Sequence, residues 1–280
     1  MRYGLYFPNF GPFGDPAVMV RLARSAEAAG WDGVFPWDHI QAGHWAGPVV
    51  DPWVAMAAMA AATERIALGP MICPLPRRRP TKLARETVTL DHLSGGRLVL
   101  GVGIGWPPDV DFAAFGDAGD NRVRGEQLDE GLDLLTALWS GEVVDHEGPH
   151  YTARNARFLP TPVQRPRIPI WVGGMWPHRP AFRRAARWDG VYPIAVGPDG
   201  GFAAMTPALL AEIVSFVRSH RDSDEAFDVA AGGSSYPGQE SAPPEEFAGA
   251  GATWWMEGLG WPPDIPLEAW EEFVAGGPPR

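Results

Sequence analysis

The chain lacks the features of disulfide-bonded, thiolate-metal and membrane-spanning proteins. Cys73 is the only cysteine among its 280 residues, which excludes an intrachain disulfide and a cluster of thiolate metal ligands. No apolar run reaches the length of about 18 residues that spans a bilayer, and the Ala-rich run at 53–62 is too short. Pro8 and Gly11 interrupt the amino terminus before an apolar segment forms, so we expect no signal peptide and a cytoplasmic protein.

Positive charge is also scarce. The 23 Lys and Arg residues against 34 Asp and Glu residues give a net charge of −11, which repels phosphate backbones and anionic lipids. We therefore expect neither a nucleic acid nor a membrane surface as a partner. No lysine follows Lys82, so a phosphate bound by the later part of the chain has to be held by arginines, hydroxyls or backbone amides.

Short apolar runs alternate with helical patterns along most of the chain. Strands are predicted at 3–7, 33–36, 66–72, 97–102, 170–172, 190–194, 227–231 and 253–256. Helices are predicted at 15–30, 51–63, 80–93, 126–139, 179–187, 207–220, 243–248 and 267–274. Eight strand–helix pairs in order favour a closed parallel barrel over an open sheet, that is, an α/β protein with a single (β/α)8 TIM barrel.

The alternation breaks between about 106 and 169. This stretch holds the helix 126–139 and a long polar segment rich in proline. We interpret it as an insertion after strand four that folds over one end of the barrel. No linker or repeat divides the chain, so one domain covering 1–280 is predicted.

A barrel of this type places its active site at the carboxyl ends of its strands. Asp38 and His39 follow the second strand and form the only carboxylate–imidazole pair at such a position. A histidine there is suited to act as a general acid or base near neutral pH, or to donate a hydrogen bond to a ring carbonyl. The sequence is equally consistent with Asp38 capping the loop and His39 packing beneath it.

Glycines cluster at the same strand ends. Gly101, Gly103 and Gly105 alternate through the end of strand four, and Gly-Gly pairs at 173–174 and 232–233 end strands five and seven. Missing side chains allow a flat ring or a phosphate to approach the backbone, although each glycine alone is explained equally well by a turn. The helix that begins near Arg179 would add free amides for a phosphate, with charge from Arg179, Arg183 and Arg184.

Other candidates have weaker support. The run Arg77–Arg79 is suited to an anionic cofactor tail, or is a solvated loop. Cys73 has no neighbouring base in the sequence, which favours a buried inert thiol over a nucleophile. No His-x-His pair follows strand one, so we predict no metal site. A glycosidase would need two acids at strand ends, for which only Asp38 and Glu257 are placed.

Several motifs, in order, resemble one known family. The segment 90–106 reads Leu-Asp-His-Leu-Ser-Gly-Gly-Arg-Leu-Val-Leu-Gly-Val-Gly-Ile-Gly-Trp, and its Leu-Ser-Gly-Gly-Arg part is the most specific element. The segments at 4–9, 26–33, 63–69, 169–174 and 185–190 match as well. Together they resemble the bacterial luciferase-like flavin- or F420-dependent oxidoreductases over nearly the whole chain up to Ile194.

The resemblance implies a barrel that binds FMN or the deazaflavin F420 with its ring at the mouth. It places Asp38 and His39 near the ring, with His39 as the acid/base or ring-contacting residue and Asp38 orienting it. It also implies a bulge with a non-proline cis peptide at 71–73. The expected cofactor contacts are Asn9, Met71, Ile72, Cys73, Gly103, Gly105, Trp106, Gly173, Gly174 and Met175.

Family members use F420 for hydride transfer, or reduced FMN with oxygen for monooxygenation, on small organic substrates. The Asp-His pair and the arginines at 77–79 favour F420. Two other functions stay open: a flavin-binding barrel without catalysis, and an unrelated barrel hydrolase. Because members of the family often form dimers through barrel helices, a homodimer is one expectation.

Overall fold

Eight parallel strand positions close on themselves in a computed structural model that describes residues 1–260 and 265–279. The strands are β1 (Arg2–Phe7), β2 (Gly33–Pro36), β3 (Ala67–Leu68), β4 (Cys73–Pro74), β5 (Leu100–Gly103), β6 (Val143–Glu147), β7 (Thr152–Arg157), β8 (Ile170–Trp176), β9 (Gly190–Val196), β10 (Phe202–Ala203), β11 (Asp228–Gly233) and β12 (Trp254–Gly258). The helices are α1 (Pro16–Ala29), α2 (Pro52–Ala61), α3 (Pro80–Ser94), α4 (Pro108–Asp111), α5 (Asn121–Trp139), α6 (Arg179–Ala185), α7 (Pro207–Arg218), α8 (Pro244–Gly249) and α9 (Leu267–Ala275).

The strand order is β3-β2-β1-β12-β11-β9-β8-β5-β4. Leu68 in β3 also pairs in parallel with Leu98, just before β5, so the two ends of the sheet meet. The predicted (β/α)8 barrel is therefore confirmed. No helix of the described residues is both long and apolar enough to cross a membrane.

Local signals explain why α1, α2 and α3 begin and end close to their predicted bounds, whereas α5 begins at Asn121 and not at 126 as predicted. The Asp15 carboxylate accepts a hydrogen bond from the Ala17 amide at the start of α1, and Gly30 ends that helix with φ of 89°. Asp51 caps α2 in the same way, and Gly95 ends α3 with φ of 67°. Both positions of left-handed backbone are occupied by glycine, which adopts this conformation without steric cost.

The third barrel strand differs from the prediction of one strand at 66–72. It is interrupted between β3 and β4 by a bulge over residues 69–72, which contains the expected cis peptide between Met71 and Ile72. A Cβ atom at Gly69 would lie 1.7 Å from the Val99 carbonyl oxygen. The backbone of the bulge therefore approaches the segment before β5 at a distance that only glycine permits.

The insertion after the fourth barrel strand divides into three parts. The helix α5 packs between α3 and α6 on the barrel wall, and Trp139 Nε1 donates to Thr87 Oγ1 at 3.0 Å. The hairpin β6–β7 lies outside α5, where Glu130 accepts a hydrogen bond from the Tyr151 amide. Only α4 and its neighbours lie at the mouth, so the prediction that 106–169 as a whole folds over one end was wrong.

A layer of large side chains fills the barrel interior below the mouth. Phe35 stacks on Trp171 with ring centroids 5.7 Å apart, and Trp171 meets Trp254 edge-on at 5.4 Å. Gly190 makes room for this layer, since a Cβ there would lie 2.5 Å from the Trp171 ring. Because the interior is packed, a ligand has to bind above this layer, at the carboxyl ends of the strands.

Candidate active site

Asn9 fastens the loop that carries His39. Its side chain is fully buried at the end of β1, and its amide nitrogen donates to the carbonyls of His39 at 2.8 Å and Val50 at 2.7 Å. Its amide oxygen accepts from the His39 backbone N–H at 3.1 Å. Both N–H groups of the side chain are thereby used within the protein. Asn9, which was predicted as a cofactor contact, holds the loops after the first two strands together.

The carboxylate beside the His39 imidazole comes from the insertion. Asp111 Oδ2 in α4 lies 3.3 Å from His39 Nδ1, and Asp111 Oδ1 accepts from the amides of Ile40 and Gln41 at 2.9 and 3.0 Å. His39 Nε2 makes no hydrogen bond among the described residues, and the side chain keeps 17% of its surface exposed. Nδ1 is buried at the Asp111 side of the ring.

Asp111 is held as a carboxylate. Burial favours its neutral form, but the hydrogen bond with His39, the charge of Arg77 and the Gln41 amide together lower its pKa below the ordinary value. Arg77 Nη1 also forms an ion pair with Asp111 Oδ2. A buried anion therefore faces the Nδ1 side of the imidazole.

Asp38 does not orient His39, contrary to the prediction. Its carboxylate oxygens lie 3.0 Å from Arg77 and 2.8 Å from Arg78, and Oδ2 also accepts from Trp53 Nε1 at 2.9 Å. Asp38 is 4% exposed and has no carboxylate oxygen left for the imidazole. The same contacts correct the prediction that Arg77 and Arg78 meet an anionic cofactor tail, since both guanidinium groups neutralise buried acids.

The glycines of the fourth and fifth barrel strands accommodate the bulge. A Cβ at Gly103 would lie 2.1 Å from Ile72 Cδ1, and one at Gly173 would lie 2.7 Å from Ile72 Cγ2. A Cβ at Gly101 would lie 2.9 Å from Met71 Sδ. The space left by the missing side chains of these glycines, which was predicted to admit a ring or a phosphate, is thus filled by Met71 and Ile72. The half-buried Ile72 becomes part of the floor of the mouth.

Aromatic rings extend this floor toward His39. The Tyr6 ring lies 5.2 Å from Trp37 and 5.1 Å from Tyr192, whose hydroxyl hydrogen-bonds with that of Tyr6. Burial raises the pKa of both tyrosines well above the usual value, so both hydroxyls stay neutral. Trp37 Nε1 is buried and has no hydrogen-bond partner within the part of the chain that the structure describes. Phe10 and Trp37 each lie 5.9 Å from the imidazole, ring centroid to ring centroid.

Two of the three arginines predicted to add charge to a phosphate site after strand five make other contacts. Arg184 binds Asp129 at 2.6 Å, and Arg179 stacks on Trp176 with its guanidinium carbon 3.6 Å from the ring. A Cβ at Gly174 would lie 2.5 Å from the Ala181 side chain, so this glycine permits α6 to pack closely. The half-buried Met175 and the backbone of Gly173 and Gly174 are the parts of this strand end that face the mouth region.

Three other predicted residues take different places. Cys73 is fully buried, and burial raises the pKa of its thiol well above the usual value, as expected for an inert thiol. Gly105 packs against Phe112, with φ of 80°. Trp106 is 49% exposed and lies at the rim of the mouth rather than in its floor.

Glu257 fastens the loop after the seventh barrel strand. The carboxylate is fully buried and accepts hydrogen bonds from the Ser235 amide at 2.7 Å, the Ser235 hydroxyl at 2.8 Å and Trp255 Nε1 at 2.9 Å. Burial raises its pKa. With Asp38 saturated by arginines and Glu257 tied to this loop, the two acids do not form a glycosidase pair.

These features define a closed parallel barrel whose candidate site lies around His39 at the carboxyl ends of the strands. The profile of the luciferase-like monooxygenase family matches residues 1–258, and the chain belongs to that family. The resemblance noted in the sequence is thereby confirmed.

Curated relatives include two F420-dependent glucose-6-phosphate dehydrogenases. The protein of Microbacterium testaceum is 31% identical over 238 residues, which cover 82% of this chain and 67% of the relative. The protein of Nakamurella multipartita is 34% identical over 184 residues, which cover 63% of this chain and 51% of the relative. In the latter case the match spans about half the length of the relative.

Solved structures give the same fold. An F420-dependent secondary alcohol dehydrogenase in complex with an F420-acetone adduct superimposes with a TM-score of 0.75 at 18% identity, and 99% of each chain is covered. The monooxygenase RslO1 from Streptomyces bottropensis has a TM-score of 0.66 at 27% identity, covering 84% of this chain and 71% of that one.

Proposed function

We propose that this protein is an oxidoreductase that binds F420 at the barrel mouth and catalyses hydride transfer between the cofactor and a small organic substrate. The observation that carries the proposal is the His39 imidazole, which lies beside the rings of Phe10 and Trp37 with Asp111 Oδ2 3.3 Å from Nδ1 and with no hydrogen bond to Nε2 from the described residues. The 31% identity with an F420-dependent dehydrogenase over most of the chain supports F420 as the cofactor.

The residues at the mouth fit a flat, flavin-type ring. The floor is formed by the half-buried side chains of Tyr6, Trp37 and Ile72, which offer apolar surface. Trp37 Nε1 is a buried donor without a partner, which a ring heteroatom would satisfy. We assign the edge of the ring site to the backbone at 173–174 and to Met175. When bound, the cofactor supplies the hydride chemistry.

The protein's own part is to hold and move a proton. With the Asp111 carboxylate beside Nδ1, a neutral imidazole would carry its proton there, and Nε2 would accept a proton from, or return it to, the substrate oxygen. Asn9 fixes the backbone on which the imidazole is carried. Asp38 contributes by neutralising Arg77 and Arg78, which hold this loop, and not by contact with the imidazole.

A second candidate is monooxygenation with reduced FMN and oxygen. It is favoured by the 27% identity with the monooxygenase RslO1. The same floor would carry the FMN ring, and His39 would again supply the proton. A flavin-binding barrel without catalysis would share the floor but would not depend on His39 for any reaction.

The test is a turnover assay with each cofactor. Secondary alcohols are incubated with the protein and oxidised F420, and cyclic ketones with the protein and reduced F420. In a separate assay, the ketones are incubated with the protein, reduced FMN and oxygen. We expect F420-dependent turnover that is lost in His39→Gln. Turnover only with reduced FMN would support the second candidate, and binding of a cofactor with no turnover of any substrate would contradict both.

A further inference from the structure

The exposed Phe and Trp side chains of the described residues all lie on segments that follow barrel strands. Among the described residues, the four exposed Phe and Trp side chains are Trp45, Trp106, Phe115 and Phe202, with exposures of 65%, 49%, 51% and 61%. Each lies on a segment that follows a barrel strand at its carboxyl end: after β2, after β5 for two of them, and after β9. Exposed aromatic surface gathered at the carboxyl ends of barrel strands, where barrel proteins bind their ligands, is a candidate binding surface.

Two of these side chains form a pair above the fifth barrel strand. Trp106 and Phe202 meet edge-on, with ring centroids 5.3 Å apart. Phe202 is placed there by β10, which pairs antiparallel with the end of β9 and extends it beyond the barrel. Trp106 follows Gly105 in the loop after β5, the fourth barrel strand. The pair thus joins two loops from different strands while each ring keeps about half or more of its surface exposed.

The charges around this pair disfavour an anionic substrate. Arg77 and Arg78 are bound by Asp38 and Asp111, and Arg179 stacks on Trp176 with Glu212 3.6 Å away. The loops that carry Trp106 and Phe202 instead present the exposed acids Asp109, Asp117 and Asp199. A phosphorylated sugar, the substrate of the two F420-dependent glucose-6-phosphate dehydrogenases, would meet negative charge and apolar rings there.

We infer that the substrate of this site is an uncharged, predominantly apolar ring compound that packs against Trp106 and Phe202. The inference rests on the proposed function, because it concerns the molecule that faces the cofactor. A neutral ring gains by covering aromatic surface that is otherwise in water, and it does not require the cationic partners that these loops lack.

The test uses Nile red, a neutral apolar dye, and glucose 6-phosphate as probes of the wild-type chain. Dye binding is titrated by fluorescence in the wild type, in Phe202→Ala, in Trp106→Ala and in the control Val54→Ala, whose side chain is 71% exposed on α2. F420 binding is titrated in the same four proteins. Phe202→Ala is the decisive variant, because Trp106 was also predicted to contact the cofactor.

We expect saturable dye binding that weakens roughly tenfold or more in Phe202→Ala and Trp106→Ala and is unchanged in Val54→Ala. F420 binding should be unaffected in Phe202→Ala, and glucose 6-phosphate should neither displace the dye nor be turned over. Dye binding that is indifferent to both substitutions, or turnover of glucose 6-phosphate, would overturn the inference. So would a change of oligomeric state in Phe202→Ala without a change in dye affinity, since the rim would then be a protein interface. Absence of F420 and FMN binding in the wild type would instead count against the proposed function.

Discussion

The two sides of the barrel mouth differ in the residues that form them: one side holds paired charges, and the other holds glycines and apolar side chains. On the side of the second and third barrel strands, the buried carboxylates of Asp38 and Asp111 are paired with the partly buried Arg77 and Arg78. On the side of the fourth to sixth strands, the mouth is formed by glycine backbone, Met175 and the exposed rings of the rim. The first side fixes the position of one imidazole, whereas the second offers apolar surface that adapts to a ligand. Under the proposed function, the rigid side would carry the acid/base chemistry and the open side would recognise the substrate.

The largest expected effect comes from removing the chemistry of the charged side. His39→Gln should reduce turnover by roughly 100-fold to 10,000-fold, the range for loss of a general acid or base. F420 affinity and the melting temperature should stay close to wild type, because the ring keeps only one polar contact, with Asp111. Turnover rates and calorimetry on the same preparation measure both. Full activity in His39→Gln would show that the imidazole is a packing element.

Asp111→Asn should destabilise the rigid side by roughly 3 kcal/mol, because a buried cation loses part of its compensation. The pKa of Asp111 is lowered in the folded protein, so its stabilising effect is present above the ordinary carboxyl pKa and is lost as the pH falls through the depressed value. The difference in melting temperature between wild type and variant should therefore be full above about pH 5 and shrink below about pH 4.

The matched control for this variant is Asp109→Asn, on the same short helix but exposed. It should leave both the melting temperature and its pH dependence unchanged. Equal effects of the two substitutions would mean that the buried network contributes nothing specific.

A smaller effect is expected where the two sides meet at the bulge. In Gly103→Ala the new methyl group would lie 2.1 Å from Ile72 Cδ1, so Ile72 has to move. Overpacking of this kind costs about 1–3 kcal/mol, and we expect weaker F420 binding, measured by titration, together with a modest loss of stability. Gly249→Ala, which meets no atom within 4 Å, is the control. Unchanged F420 affinity in Gly103→Ala would remove Ile72 from the ring site.

The smallest perturbation is chemical labelling of Cys73. Burial raises the pKa of this thiol, so at pH 8 it should be protonated, inaccessible and slow to react with a disulfide reagent. The unfolded protein in guanidinium should react at once, and the ratio of the two rates measures the protection. Fast labelling of the native protein would show that the third strand opens toward the mouth.

Features set by neighbours in sequence were predictable, and those set by distant contacts were not. Asp15, Gly30 and Gly95 mark helix ends through their own backbone chemistry, so α1 and α3 were placed correctly. The interruption between β3 and β4 was expected only from the family resemblance, because it depends on how closely Gly69 approaches Val99 and an apolar run does not report that distance.

The candidate site shows the same division. His39 was found because a strand end followed by a histidine is a local pattern. Its partner Asp111 lies 72 positions further along, in a loop with several other aspartates, and only the fold shows that it is the acid beside the imidazole. Asp38 is adjacent to His39 in the sequence, yet its carboxylate forms ion pairs with Arg77 and Arg78. A buried carboxylate needs a cationic partner, and the fold places these two arginines next to it.

The most direct test of the central claim is a titration of the wild-type chain with F420 and, separately, with FMN, followed by tryptophan fluorescence at fixed salt. Trp37 lies in the proposed floor, so a bound ring should quench part of the emission, and the same titration of Trp37→Phe should lose that part. The account predicts saturable binding of F420 that is tighter than that of FMN. Failure of both cofactors to bind would contradict it.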